Sequence, residues 1–70
     1  MRFNFKWQRL SREDVDRLII KCNLDFAEQE IFKRLCTGKT QQLIADETTY
    51  SRTSISNYAM KIYEKIKNDI

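Results

Sequence analysis

The stretch QQLIADETTYSRTSISNYAMKIYEKI, residues 41–66, carries two apolar rhythms separated by a break. In its second part Ile55 is followed by Tyr58 and Ala59 three and four residues on, Ala59 by Ile62 three on and Ile62 by Ile66 four on, the spacing that lines up side chains on one face of an α-helix. At about 100° per residue, Thr53, Asn57, Met60 and Glu64 take the opposite face, flanked by Ser56, Lys61 and Lys67. Ser51 supplies an N-cap, with Tyr50 and Ile55 as an apolar staple, so the spacing predicts a helix over about 52–67. In the first part Leu43, Ile44 and Thr48 form the inner face of a shorter helix over about 41–48, capped by Thr40, and Ala45 leaves room for a close neighbour. Thr48, Thr49, Tyr50 and Ser51 separate the two, because β-branched and hydroxyl-bearing residues favour caps and turns over helix interiors.

The same logic extends upstream. Asp25 and Glu28 have capping-box spacing and open a helix over about 26–36, with Ala27, Ile31 and Leu35 inward, widened by Phe32 and Cys36. Gln29, Glu30, Lys33 and Arg34 are left to water, and Gly38 ends the helix in a left-handed conformation. Ser11 caps a further helix over about 12–22, with Glu13 and Asp14 at the positive end of its dipole and Leu10 and Val15 as its staple. Val15, Leu18, Ile19 and Cys22 form its inner face, and Asn23 and Leu24 break it. Residues 2–8, RFNFKWQ, alternate polar and aromatic, which sets Phe3, Phe5 and Trp7 on one face of an extended segment. Those rings have three destinations: the helical body, a strand of a second copy, or nucleic acid. The expected architecture is all-α: an aromatic and basic N-terminal arm over 1–10, then a four-helix domain over 11–70.

Composition narrows the function. Seventy residues make one small domain without depth for a substrate pocket. The absence of histidine removes Ser-His and Cys-His catalysis, and Cys22 and Cys36 form no C-x-x-C pair, so they read as small buried apolar residues. No enzyme, metal, cofactor or small-molecule ligand is expected. No apolar run is long enough to span a membrane and no signal-peptide core is present, which points to a cytoplasmic protein. The formal net charge is +3. Arg2, Lys6, Arg9 and Arg12 gather at the amino end, and Arg52, Lys61, Lys65 and Lys67 form a second group on the last helix. Basic groups so placed suit a phosphate-bearing partner.

Thr37-Gly38-Lys39-Thr40 has the look of a nucleotide loop. Such a loop needs a first glycine five positions before the second, and Lys33 stands there, inside a predicted helix rather than after a strand. Any phosphate near Lys39 would therefore belong to a different ligand. A short helix, a turn and a longer helix with short polar side chains is the order of a helix-turn-helix, whose second helix enters the major groove of DNA. Thr40 to Lys61 has that order and those lengths.

The residues LDFAEQEIFKRLCTGKTQQLIADETTYSRTSISNYAMKIYEKI, Leu24 to Ile66, resemble without gaps the LuxR/GerE-type helix-turn-helix, and more distantly region 4 of sigma factors. Leu24 stands at the family's leading Leu, Glu28 at its helix-opening acids, and Ile31, Phe32 and Leu35 at the apolar positions of the scaffold helix. Ile44-Ala45 match its I-A pair, Ser51 the serine that starts the recognition helix, Ser54-Ile55 its T-V pair, Ile62 its later Ile, and Lys65-Ile66 its closing K-L. Tyr58 replaces the usual His. Family members generally carry a further carboxy-terminal helix used in dimerisation, whereas this chain stops soon after the match and has an extra helix and an arm in front. The resemblance implies a small standalone DNA-binding regulator of transcription, and a lone domain of this size is expected to bind double-stranded DNA as a homodimer. Thr53, Ser56, Asn57 and Met60 are the candidates for base edges, since Asn pairs with adenine and Met meets the thymine methyl. Lys39, Thr40, Gln41, Arg52 and Lys61 are the candidates for phosphate. Phe3, Phe5 and Trp7 are candidates for dimer or arm contacts. The alternative is a protein-interaction module of the same fold that binds RNA polymerase or another regulator, favoured by the modest charge of residues 37–70.

Overall fold

The computed structural model describes residues 5–70, so Phe3 lies outside the described residues. Four α-helices follow one another: α1 Arg12–Lys21, α2 Phe26–Cys36, α3 Gln41–Glu47 and α4 Arg52–Ile66. Short 3-10 turns precede and follow them, at Trp7–Arg9 and Lys67–Asp69. No strand occurs among the described residues. The all-α, four-helix expectation holds, with helix ends within a residue or so of those read from the pattern.

Each helix starts where a short polar side chain can replace a missing intrahelical partner. Ser11 Oγ accepts from the Asp14 N–H at 3.1 Å, and Asp14 accepts from the Ser11 N–H at 3.3 Å. Asp25 and Glu28 make the same reciprocal pair at 2.8 and 3.0 Å. Thr40 Oγ1 accepts from Leu43 N–H at 3.1 Å and Ser51 Oγ from Ser54 N–H at 3.2 Å.

The first two helices stop by one device. After α2 the Gly38 N–H donates to the Leu35 carbonyl at 3.1 Å and the Lys39 N–H to the Arg34 carbonyl at 3.3 Å, with Gly38 at φ +91°. After α1 the Asn23 N–H donates to Ile20 at 3.3 Å and the Leu24 N–H to Ile19 at 3.1 Å, with Asn23 at φ 54°. Both are Schellman closures, and asparagine is the residue other than glycine that most readily takes the left-handed position. At Gly38 there is a second constraint: an added Cβ would collide with Gln8 Nε2. Gly38→Ala is therefore expected to lower stability by about 1–2 kcal/mol, chiefly through the backbone conformation, since the Gln8 amide can swing away. Urea denaturation measures it.

The core lies where α2 and α4 cross, with α1 and α3 closing its sides. Leu18, Ile31, Phe32, Ile44, Ile55, Ala59, Ile62 and Ile66 have no exposed surface. The expected inner stripe of α4 is thus the buried one, with Tyr58 half-buried at its margin against Tyr50. α3 departs from expectation. Ile44 faces inward, but Leu43 is 43% exposed. A seven-residue helix makes barely two turns, so one buried residue fixes its rotation, and Ile44 turns its neighbour outward.

The N-terminal segment departs as well. Trp7 to Arg9 curl into a turn closed by the Arg9 N–H on the Lys6 carbonyl at 3.1 Å, and no extended alternation is present there. A lone strand has nothing to pair with. The turn instead presents the Trp7 ring edge-on to Phe32, centroids 5.8 Å apart, while Phe5 meets Trp7 at 4.8 Å and Tyr63 at 5.1 Å. Of the three destinations open to these aromatics, Phe5 and Trp7 take the helical body, spanning α2 and α4.

Candidate nucleic-acid interface

The joint between α3 and α4 contains no glycine and is built by a hydroxyl. Thr48 Oγ1 donates to the Ile44 carbonyl at 2.7 Å, ending α3, and accepts from the Tyr50 N–H at 3.3 Å, starting the bend. Ser51 then caps α4, and the Tyr50 and Tyr58 rings meet edge to face at 5.5 Å, pinning the connection to the second turn of α4. These contacts set the angle at which α4 leaves α3.

With Ile55, Ala59, Ile62 and Ile66 sealed in the core, the opposite face of α4 is open to solvent. Thr53 and Asn57 are exposed and Met60 is 51% exposed, whereas Ser56 is half-buried at the edge of the stripe. Among the base-edge candidates, Thr53, Asn57 and Met60 share one accessible strip, and Ser56 lies beside it. Arg52 and Lys61 project on either flank of that strip, by the helical rotation between them.

The cations of α4 and of the turn that follows it fall into two groups. Lys65 Nζ lies 2.7 Å from Glu28 Oε1, a carboxylate buried at the start of α2, and Lys67 Nζ lies 2.7 Å from Glu64. Among the described residues, neither Arg52 nor Lys61 has a carboxylate partner. The last turn of α4 and the turn after it are thus internally neutralised, while Arg52 in the first turn and Lys61 in the third keep their positive charge.

The remaining phosphate candidates are placed differently from one another. The Thr40 hydroxyl is occupied with capping α3, and Gln41 is half-buried on the inward side. The Lys39 ammonium does not point to the amino end of α3. It runs to the far end of that helix, where it donates to both oxygens of Glu47 at 2.7 and 2.9 Å. This contact, with lesser help from Arg34, holds the Glu47 carboxyl below the usual carboxylate range.

Several partners escaped sequence reasoning. Glu28 serves at once as capping residue and as the buried counter-ion of Lys65, which joins the start of α2 to the end of α4. Asp69 accepts from Lys21 at 2.9 Å and from the Cys22 thiol at 3.5 Å, tying the final turn to α1. Periodicity reveals a helix's own faces; a contact 37 or 47 residues away depends on how helices cross. Cys22 and Cys36 are both half-buried free thiols, and burial pushes the Cys36 thiol up to about 12, which leaves it protonated and unreactive near neutral pH.

No family model matches the chain, and no similar curated protein or solved structure was found. No helix among the described residues is long and apolar enough to cross a membrane.

Proposed function

We propose that this chain is a small sequence-specific DNA-binding regulator of transcription, in which α3, the 48–51 connection and α4 act as a helix-turn-helix. One observation carries the reading: Arg52 and Lys61, the cations of α4 without an internal carboxylate among the described residues, flank the exposed strip of Thr53, Asn57 and Met60. A helix lying in the major groove has a phosphate wall on each side and base edges below. Cations on both flanks and short polar groups between them suit that geometry, with Asn57 placed to pair with adenine and Met60 to meet a thymine methyl. The LuxR/GerE-like order of residues from Leu24 to Ile66 supports the same reading, as does, more distantly, the likeness to sigma region 4. A regulator of this kind works in the cytoplasm.

The test is a salt series with a labelled random-sequence duplex pool, followed by selection from that pool. Binding should weaken steeply and linearly on logarithmic axes, since each neutralised phosphate releases counterions. A flat salt response defeats the proposal. A domain this small reaches few base pairs, so two copies on an inverted repeat are proposed. Selection of an inverted repeat with a dimeric mass on it is the expected result; a monomeric mass on the selected site at micromolar concentration rules the homodimer out.

A second reading rests on Ile20 and Phe26, 81% and 75% exposed on α1 and α2. Large apolar side chains so open to water suit a protein-interaction module that binds RNA polymerase or another regulator. Nuclease protection by the chain alone favours the first reading. Binding to purified polymerase without DNA, and without protection, favours the second.

A further inference from the structure

Lys39 resembles Arg52 and Lys61 in the sequence and differs from them in the fold. Its ammonium donates to both Glu47 oxygens, and Glu47 is its one carboxylate among the described residues. Arg34 also reaches Glu47, at 3.6 Å, but it is held independently, by the Glu30 carbonyl at 3.1 Å and the Glu30 carboxylate at 3.6 Å. Glu47 closes α3, one residue before the connection that leads into α4. α3 has no basic residue in its own last turn, so Lys39 and Arg34 bring positive charge from outside to its carboxylate-bearing end. This cluster of two cations and one carboxylate therefore sits at the joint of the two helices that the proposed function presents to DNA.

We infer that Glu47 sets the strength of DNA binding by competing with the duplex backbone for the Lys39 ammonium. The inference rests on the DNA-binding reading and adds a restraint to it. A phosphate that takes Lys39 must displace a carboxylate already bonded through both oxygens, so breaking the Lys39–Glu47 pair offsets most of what the phosphate contributes. The carboxylate left behind keeps only the longer contact with Arg34, at 3.6 Å, and holds a negative charge close to the phosphates. Arg52 and Lys61 meet phosphate without such an exchange. In the unaltered chain Lys39 is thus a reserve cation, and neutralising Glu47 releases it. Arg34, anchored on Glu30, stays in place when Glu47 is changed.

The experiment is a double-mutant cycle, read by anisotropy with a labelled random-sequence duplex of about 24 base pairs over a salt series. Glu47→Gln, which keeps the shape and one hydrogen-bond acceptor, is expected to tighten binding about five- to tenfold at low salt and to steepen the salt slope by about 0.9, the value of one more phosphate contact. Lys39→Met should leave the slope of the unaltered chain nearly unchanged and should remove that increment in the Glu47→Gln background. Equal slope loss from Lys39→Met in both backgrounds, or loss in neither, overturns the competition. Weaker binding by Glu47→Gln with a lowered melting temperature also overturns it, because a carboxylate that only braces α3 behaves in that way. Salt-dependent binding by the unaltered chain with no change in Glu47→Gln defeats this inference alone, whereas no salt-dependent binding by the unaltered chain defeats the DNA-binding reading beneath it.

Discussion

Phe32→Ala is expected to leave the chain largely unfolded at 25 °C. The ring has no exposed surface, sits in the middle of α2, the helix that packs against the other three, and is the seat on which Trp7 rests edge-on. Truncating a buried phenylalanine costs about 3–5 kcal/mol, from forfeited transfer energy and from the cavity that a packed neighbourhood cannot fill. A single core in a chain of this size supplies roughly 3–5 kcal/mol of net stability, so loss and total are of the same order. The aromatic relay adds to the effect. Phe32 supports Trp7, Trp7 supports Phe5, and Phe5 leans on Tyr63 of α4, so removing the first ring loosens the clasp that the N-terminal segment makes across two helices.

The only tryptophan reports on that clasp directly. In Phe32→Ala the Trp7 emission should shift to the red and the cooperative urea transition should vanish or begin at zero denaturant. Trp7→Phe, which keeps an aromatic edge against Phe32, should retain a cooperative transition at lower urea. A Phe32→Ala chain that melts within about 1 kcal/mol of the unaltered one would mean that the core does not depend on this ring, against the usual cost of such a cavity.

The fold is largely legible in the sequence because its punctuation is local. Ser11, Asp25, Thr40 and Ser51 each bond an N–H three residues ahead, so the signal for a helix start lies within four consecutive residues. Gly38 and Asn23 end helices through bonds of comparable reach. The buried stripe of α4 is legible for another reason: fifteen residues average over four turns, so the apolar face is unambiguous. α3 is too short for such averaging, which is why its apolar pattern places Leu43 inward and the packing does not. The alternation in residues 2–8 describes a strand only if a partner strand exists, and the described part takes the turn that buries its rings.

The candidate site is legible in its positions and not in its charges. Thr53, Asn57 and Met60 follow from rotation about α4 alone. Which lysines are free depends on carboxylates delivered by other helices: Glu28 from α2 to Lys65, and Glu47 from α3 to Lys39. A tally of basic residues treats Lys39, Lys61 and Lys65 alike, while the packing separates them.

That separation makes the second large expected effect a contrast between two pairs. Replacing both Arg52 and Lys61 with alanine should reduce the salt slope of duplex binding by about 1.8, since each phosphate contact contributes about 0.9, and weaken affinity by roughly a hundredfold at low salt. Replacing both Lys65 and Lys67 removes the same formal charge from the same end of the chain, yet should leave the slope within about 0.5 of the unaltered value, because those ammonium groups are engaged by Glu28 and Glu64. Stability should change in the opposite order. Loss of Lys65 leaves the buried Glu28 carboxylate without its counter-ion, at a cost of roughly 1–3 kcal/mol, softened by the Asp25 N–H that Glu28 still accepts. Arg52 and Lys61 are exposed and have no carboxylate partner among the described residues, and their removal should hardly move the urea midpoint. If the two double variants lose slope equally, the duplex responds to overall charge and the Arg52–Lys61 face of α4 has no privileged place. If only the first does, the face that carries Arg52 and Lys61 meets the phosphates while the last turn is braced by α2, and Asn57→Ala then becomes the variant to test for loss of sequence preference at an unchanged slope.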